Sequence, residues 1–459
     1  MGTAKWWRIG AVLMFGLFIA YLDRSNLSIA LPGLSKDLGF AGPSFADTSS
    51  WTLTAFLFGY LAANLCGGFL TTRLDPKLAL LSAVAVFSAA TLLTSIVSSV
   101  GWLIFLRVVL GFAEGIYWPQ QFRLAKAWFS DQEMSKGTAV IQYYGQYLAL
   151  ALGFFLFTPL YDGLGWRALF IISGLAGLGL VVPLYAVFLR SRPAGQAEDA
   201  EPAVTRGQAD SGADPRPDSS PDSRPSSAAD SQAASGSGLD SMADSPAGSG
   251  ATKGLKAFGG SKFGLLVFSY FANGMLFWGI TLWIPLVLQS LGFTGGSRGL
   301  FAALPYLLSL VLTVPMMALS DRTGKRVLIA SSGLLVGGAF VGCLPLVSSP
   351  AAKLVMICIG MGYFTATYTS NLWAIAVNDL PPRVIGPATG IINGFGAGGG
   401  GIVAGLVVGQ LRAATGSYLP GFAVLGVVAV IGGFALLWYG RLRARALRSP
   451  STSTATATA

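Results

Sequence analysis

Residues 6–32 read WWRIGAVLMFGLFIAYLDRSNLSIALP, an apolar run long enough to cross a bilayer as a helix. In its middle stand Asp23 and Arg24, flanked by Tyr21, Ser25 and Asn26. A charge at bilayer depth costs roughly 2.5–3.5 kcal/mol on insertion scales, so an ionisable residue inside a span marks a functional site with a partner to be found. At about 1.5 Å per residue from Ile9, Asp23 lies roughly 20 Å into the membrane. One other apolar run repeats the pattern: in residues 102–119, WLIFLRVVLGFAEGIYWP, Arg107 and Glu114 are two helical turns apart. They therefore share a face at a separation of about 10 Å. Two acids and two bases read as one central polar site, which the other spans enclose and expose alternately to the two sides of a membrane.

Composition sets the class. The mean hydropathy is +0.63 and only 11% of residues are charged, against about a quarter in a soluble domain. The chain reads as a polytopic membrane protein. Its net charge of +10 does not indicate nucleic acid, because the basic residues sit in short loops between apolar runs and no basic module with base-stacking aromatics is present. Cys66, Cys343 and Cys358 lie inside apolar segments without paired spacing and read as packing residues, with neither a disulfide framework nor a metal site. There is no histidine, so protons, if they drive the protein, are carried by carboxylates. The first apolar run is too long for a signal-peptide core and reads as a retained span.

Twelve runs of spanning length follow in two sets of six: 7–32, 49–72, 77–97, 101–122, 135–158 and 166–189, then 262–289, 297–319, 326–347, 351–377, 385–411 and 418–440. The expected organisation is an N-terminal six-helix half (1–192), a disordered linker (193–256), a C-terminal six-helix half (257–441) and a disordered tail (442–459). The linker is almost entirely Ala, Ser, Asp, Gly, Pro and Gln and cannot bury enough apolar surface to order itself. It holds 10 of the 20 acids and 5 of the 30 bases, so the spans and their loops are more basic than the total. Lys and Arg concentrate at the N-terminus, in the loops after even-numbered spans and at the C-terminus, which predicts cytoplasmic termini and a cytoplasmic linker. Trp6, Trp7, Trp102, Trp166 and Trp438 near run ends suit an interfacial aromatic belt.

The halves echo each other. GGFLTTRLDPK follows the second span and MALSDRTGKR the eighth, as internal duplication would place them. In the second copy Asp321, Arg322, Lys325 and Arg326 surround a turn glycine; in the first, Arg73 remains, Thr72 replaces the acid, and Asp75-Pro76 replaces the Gly-basic pair. These residues read either as a solvated positive-inside turn or as a gate that breaks when the halves rock.

Twelve spans, a long central loop and the DRTGKR turn together resemble the major facilitator superfamily. YLDRSNLSIALP in the first span, RVVLGFAEGIYWP and the following AWFSDQE, YYGQY in the fifth, and NDLPPRVIGPATGIINGFGAGGG across the tenth and eleventh resemble its anion:cation symporter family. The resemblance covers nearly all of the membrane part. It implies proton-coupled carriage of an organic anion, with Asp23 and Glu114 as proton sites, Arg24 and Arg107 as their electrostatic partners, Gln146 and Asn393 as polar substrate ligands, and Tyr21 and Trp373 as neighbours of the site. Two departures from the family pattern concern the gate: Glu133-Met134 where Glu-Arg is common, and Thr72 in place of an acid.

Gly394, Gly396 and Gly399 match GxGxxG inside a span without a strand before them, so they read as close helix packing rather than a nucleotide loop. Gly111 and Gly115 form GxxxG beside Glu114 and are expected to seat the fourth helix against a neighbour. No GxxxxGK[ST] loop occurs, so the energy source is a gradient rather than ATP. The function expected is a monomeric, inner-membrane, non-enzymatic symporter taking up a sugar acid or similar hydroxylated carboxylate with protons, without cofactor or metal. Sulfonates, aromatic acids and organophosphates are the alternative substrates; a non-transporting membrane sensor or scaffold is the alternative class.

Overall fold

The computed structural model describes residues 6–73, 75–129, 139–191, 260–380 and 385–448, with the side chains of 67–73, 139–140, 385–387 and 446–448 outside that description. The described residues form helices joined by short turns, with no strand among them. This is the expected all-α architecture, and it follows from apolar runs that can satisfy their backbone polar groups in lipid only within the helix. Ten helical stretches are long and apolar enough to cross a membrane. One of them, Ile141–Phe188, is 48 residues long and turns back at Gly165, whose φ of 80° only glycine adopts readily. It supplies the fifth and sixth spans. The helix Phe45–Arg73 completes the set of twelve.

The first span is Val12–Asp37, preceded by a wide π turn, Trp6–Ala11. The second to fourth are Phe45–Arg73, Pro76–Thr94 and Val100–Trp128. The seventh to ninth are Gly260–Ser290, Gly295–Thr323 and Arg326–Gly342. The tenth is Pro350–Asp379, the eleventh Ala388–Thr415, and the twelfth Leu419–Arg448. The twelfth therefore continues as helix past the expected boundary at 441. The expected linker at 193–256, the Glu133-Met134 pair and the Arg73 side chain lie outside the described residues.

Within the first half the first span packs on the fifth and the second on the fourth; within the second, the seventh packs on the eleventh and twelfth, and the ninth on the twelfth. Gly111 does what its GxxxG spacing predicted: a Cβ there would stand 1.8 Å from the Phe56 carbonyl oxygen, so the fourth helix rests directly on the second. The eleventh span opens into a π-helical stretch, Ile392–Gly399. There Gly274 of the seventh span meets the carbonyl oxygen of Gly396 so closely that a Cβ would be 2.3 Å away. The glycine-rich segment is packing, not a phosphate loop.

The halves meet along three seams: second with eleventh span, fifth with eighth, and first with seventh. At the end of the bundle away from the chain termini, Arg298 of the eighth span pairs with Asp162 of the fifth at 3.6 Å and donates through Nη1 to Gln289 Oε1 at 3.3 Å. Phe154 and Tyr306 stack just below, 5.7 Å apart.

Two expectations are corrected. Cys66 and Cys343 are exposed and Cys358 half-buried, so they face outward from the bundle instead of filling its core. Trp166 is buried, donating to Asp37 Oδ2 at 3.0 Å, and Trp6 is half-buried against Phe129 with ring centroids 4.6 Å apart. Trp166 is packed inside and Trp6 partly so; Trp7, Trp102 and Trp438 are exposed.

Candidate functional site

Arg24 organises the centre. Its Nε and Nη2 both donate to Glu114 Oε2 at 2.5 Å, and both residues are almost wholly buried. The guanidinium also lies over a cage of rings: Tyr21 at 4.0 Å, Trp278 at 5.2 Å, Phe56 at 5.5 Å and Tyr60 at 5.6 Å from its carbon to the centroids. Each of these distances is within cation–π range. Tyr21 comes from the first span, Phe56 and Tyr60 from the second, and Trp278 from the seventh. The cage therefore takes walls from both halves.

The sequence places Arg107 on the same face as Glu114, but the ion pair runs between helices instead. Adjacent residues on a helix point about 100° apart, so Asp23 and Arg24 diverge, and Arg24 crosses to the fourth span. Arg107 Nη1 donates weakly to the Asp23 carbonyl oxygen at 3.4 Å, and its carbon is 5.7 Å from the Phe56 ring. Its Nε and Nη2 have no hydrogen-bond partner although the side chain is 1% exposed. Asp23 receives a long contact from Asn26 Nδ2, 3.5 Å, and its Oδ2 has no hydrogen-bond partner, as is true of Glu114 Oε1. Burying an uncompensated charge is strongly unfavourable. Two N–H donors of Arg107 and one oxygen on each of the two carboxylates thus carry unused hydrogen-bonding capacity.

Asn393 sits in the π-helical stretch of the eleventh span and donates to Tyr60 Oη at 2.9 Å and to Asn64 Oδ1 at 2.8 Å. It reaches Arg24 through the Tyr60 ring. Trp373 donates to Tyr270 Oη at 3.3 Å, and its ring lies 6.3 Å from that of Trp118, one turn beyond Glu114 on the fourth span. It therefore stands between the halves on the side of the chain termini. Gln146 is half-buried at the start of the fifth span, beside Tyr147, whose hydroxyl donates to the Thr365 carbonyl oxygen at 3.1 Å. The structure brings Asp23, Arg24, Arg107, Glu114 and Tyr21 together, links Asn393 to them through one residue, and leaves Gln146 and Trp373 at the margin.

Phe56, Tyr60 and Asn64 were missed from the sequence. The spacing of four and four along FLFGYLAAN puts all three on one face, and that face carries the one amide of the second span. That polar interruption was the available signal. Away from the centre, Asp321 pairs with Arg326 at 3.1 Å within a single turn, Arg322 is exposed and Lys325 caps the ninth helix.

The description Major Facilitator Superfamily matches the chain over residues 13–405. The probable sulfoacetate transporter of Cupriavidus necator is 27% identical, with 94% of this chain and 93% of that protein covered. The D-galactonate transporter of Escherichia coli is 24% identical over 92% of each. A probable galactarate/D-glucarate transporter of Bacillus subtilis is 23% identical, covering 93% of this chain and 90% of that one. Among solved structures, a bacterial homologue of the human lysosomal transporter Spinster, inward-facing and unoccupied, superposes with a TM-score of 0.68 at 14% identity, covering 98% of this chain and all of that one. The nucleoside transporter NupG superposes at 0.64 and 13% identity.

Proposed function

The chain belongs to the Major Facilitator Superfamily, and we propose that it carries a small organic anion, a sugar acid or similar hydroxylated carboxylate, in symport with protons. The observation that carries this reading is Arg107, a fully buried guanidinium with two unpartnered donors beside a second guanidinium that is held by a carboxylate. A planar fork of this kind matches a carboxylate or sulfonate in bidentate fashion. Curated relatives that cover the chain nearly end to end are named for sulfoacetate, galactonate and galactarate or glucarate, which supports an organic anion as the cargo. The likeness to a sulfoacetate transporter favours, as a second reading, a small sulfonate.

Coupling follows from competition for Arg24. Ionised Glu114 holds the guanidinium; a proton on Glu114 removes that charge and releases Arg24 to the substrate. The anion and the proton then favour each other's binding, the positive linkage that symport requires. Asp23, whose carboxylate Oδ2 has no hydrogen-bond partner, serves as the second proton site, and the two carboxylates titrate as a coupled pair. Asn393, Gln146, Tyr21 and Trp373 read the uncharged part of the cargo.

Alternating access is proposed as a rocking of residues 1–192 against 257–441 about this centre, with the segment 193–256 as tether. The turn carrying Asp321, Arg322, Lys325 and Arg326, with Arg73, gates the side of the termini. The excess of Lys and Arg at that end supports a cytoplasmic placement in a cell inner membrane. A thermal-shift and uptake panel of sulfoacetate, galactonate and glucarate, each against its neutral amide, tests the reading. Equal effects of acid and amide would reject an anion carrier.

A further inference from the structure

A groove of about 430 Å³ lies between the start of the ninth span and the end of the twelfth, remote from the Arg24 centre. Its lining includes Lys325, Arg326, Leu328, Leu437, Arg441 and Arg443. Four cations face it and two carboxylates lie beside it. Arg326 is paired with Asp321 at 3.1 Å, and Arg443 with Asp379 at 2.8 Å, where Tyr439 also donates to Asp379. Lys325 and Arg441 are exposed and have no ion pair among the described residues.

The two halves treat this position differently. In the first, Asp75 caps the third span, its Oδ1 accepting from the Leu78 N–H at 3.0 Å. In the second, Lys325 occupies the cap of the ninth span and supplies no side-chain acceptor. A negative charge that the first half provides from its own chain is thus replaced in the second by a cationic groove. The groove is not a polar notch in open solvent. Val427, Ile431, Phe434 and Trp438 are exposed on successive turns of the twelfth span and lead to Arg441, while exposed Leu328 forms the other lip. This apolar track faces outward from the bundle, where acyl chains lie.

We propose that the groove binds the phosphate of an acidic phospholipid. Lys325 and Arg441 hold the headgroup phosphate at the start of the ninth helix, where the helix dipole also favours an anion, and the acyl chains run along the Val427 to Trp438 track. The phosphate chemistry alone would also suit a free phosphate ion; the apolar track is what favours the lipid.

Native mass spectrometry of the purified full-length protein tests this with phosphatidylglycerol, phosphatidylcholine of the same chains, and inorganic phosphate as competitor. Wild-type protein should retain phosphatidylglycerol at least about fivefold over phosphatidylcholine, as expected for contact with two basic side chains near a surface. The K325Q/R441Q variant should lose that preference, and K325R/R441K should keep it. Because both side chains are exposed and unpaired, neither variant disturbs core packing. Unchanged preference in K325Q/R441Q overturns the proposal, and so does displacement of the lipid by millimolar inorganic phosphate, which would assign the groove to a soluble anion.

Discussion

Glu114→Gln isolates the coupling step proposed for the Arg24 centre. In the native protein two N–H groups of Arg24 converge on Glu114 Oε2 at 2.5 Å, so a substrate anion must compete with a charge-assisted contact for the same guanidinium. A hydrogen bond to a charged group contributes about 1.5–3 kcal/mol net, and the glutamine carbonyl still accepts, though without charge. Relieving that competition should tighten anion binding by about 10- to 150-fold where Glu114 is otherwise ionised. Loss of the counter-charge leaves Arg24 buried, but the four rings around it each offset about 0.5–2 kcal/mol, so the variant should remain folded. The measurements are substrate affinity by calorimetry, counterflow in proteoliposomes, and accumulation under an imposed proton gradient. Affinity should rise, counterflow should persist and accumulation should vanish. A variant that still concentrates substrate when only a proton gradient is supplied refutes the assignment of Glu114 as the coupling residue.

Arg107→Gln removes the fork proposed to grip the anion, and calorimetry should show affinity for the acid falling by about 100-fold while the weak binding of the amide changes little. Asn393→Ala deletes two inter-helix hydrogen bonds, to Tyr60 and Asn64, at about 1–3 kcal/mol. Its effect on the melting temperature should be less than additive with that of Tyr60→Phe. At the far end, Asp162→Arg should slow transport by placing like charges across the seam with Arg298, and D162R/R298D should restore it; failure of the swap would show that the pair does not latch the halves. Shortening residues 193–256 to about 20 residues should leave uptake per inserted molecule unchanged, because loop length adds little free energy.

The fold was legible because each span had to be read only along its own length. Twelve apolar runs became twelve helices, and the positions that differ are local: Gly165 turns the fifth span into the sixth without a loop, and the twelfth helix keeps its hydrogen bonding through the Arg441 to Arg448 segment. The identity of the four central charges was legible for the same reason, since charge in an apolar run is costly wherever it stands. Their pairing was not. Spacing within the fourth span joins Arg107 to Glu114, whereas the distance that matters, Arg24 to Glu114, lies between residues 90 positions apart. Phe56 and Tyr60 were lost to the same cause, because an aromatic on a helix face reads identically whether it meets lipid or a guanidinium on the neighbouring span, and only the Asn64 amide marked that face. The outward-facing cysteines show the converse, as a small residue in an apolar run carries no mark of which side faces the core.

Placement of Arg24 explains why charges confined to one half can still govern contact between both. Its counter-ion, Glu114, belongs to the first half, so the pair itself does not resist separation of the halves. The rings around it do: Trp278 comes from the seventh span, and Tyr60 accepts a hydrogen bond from Asn393 of the eleventh. On the proposed mechanism Arg24 turns from Glu114 toward an anion, which changes its contact with Trp278 across the seam and its position against Tyr60, the acceptor of Asn393. A ligand that replaced Glu114 as the partner of Arg24 would therefore act on the inter-half surface without touching the second half's backbone. A neutral molecule of the same shape fills the space but leaves Arg24 on Glu114, and so has no means to shift that equilibrium, since a ligand moves a conformational balance only by its differential affinity for the two states.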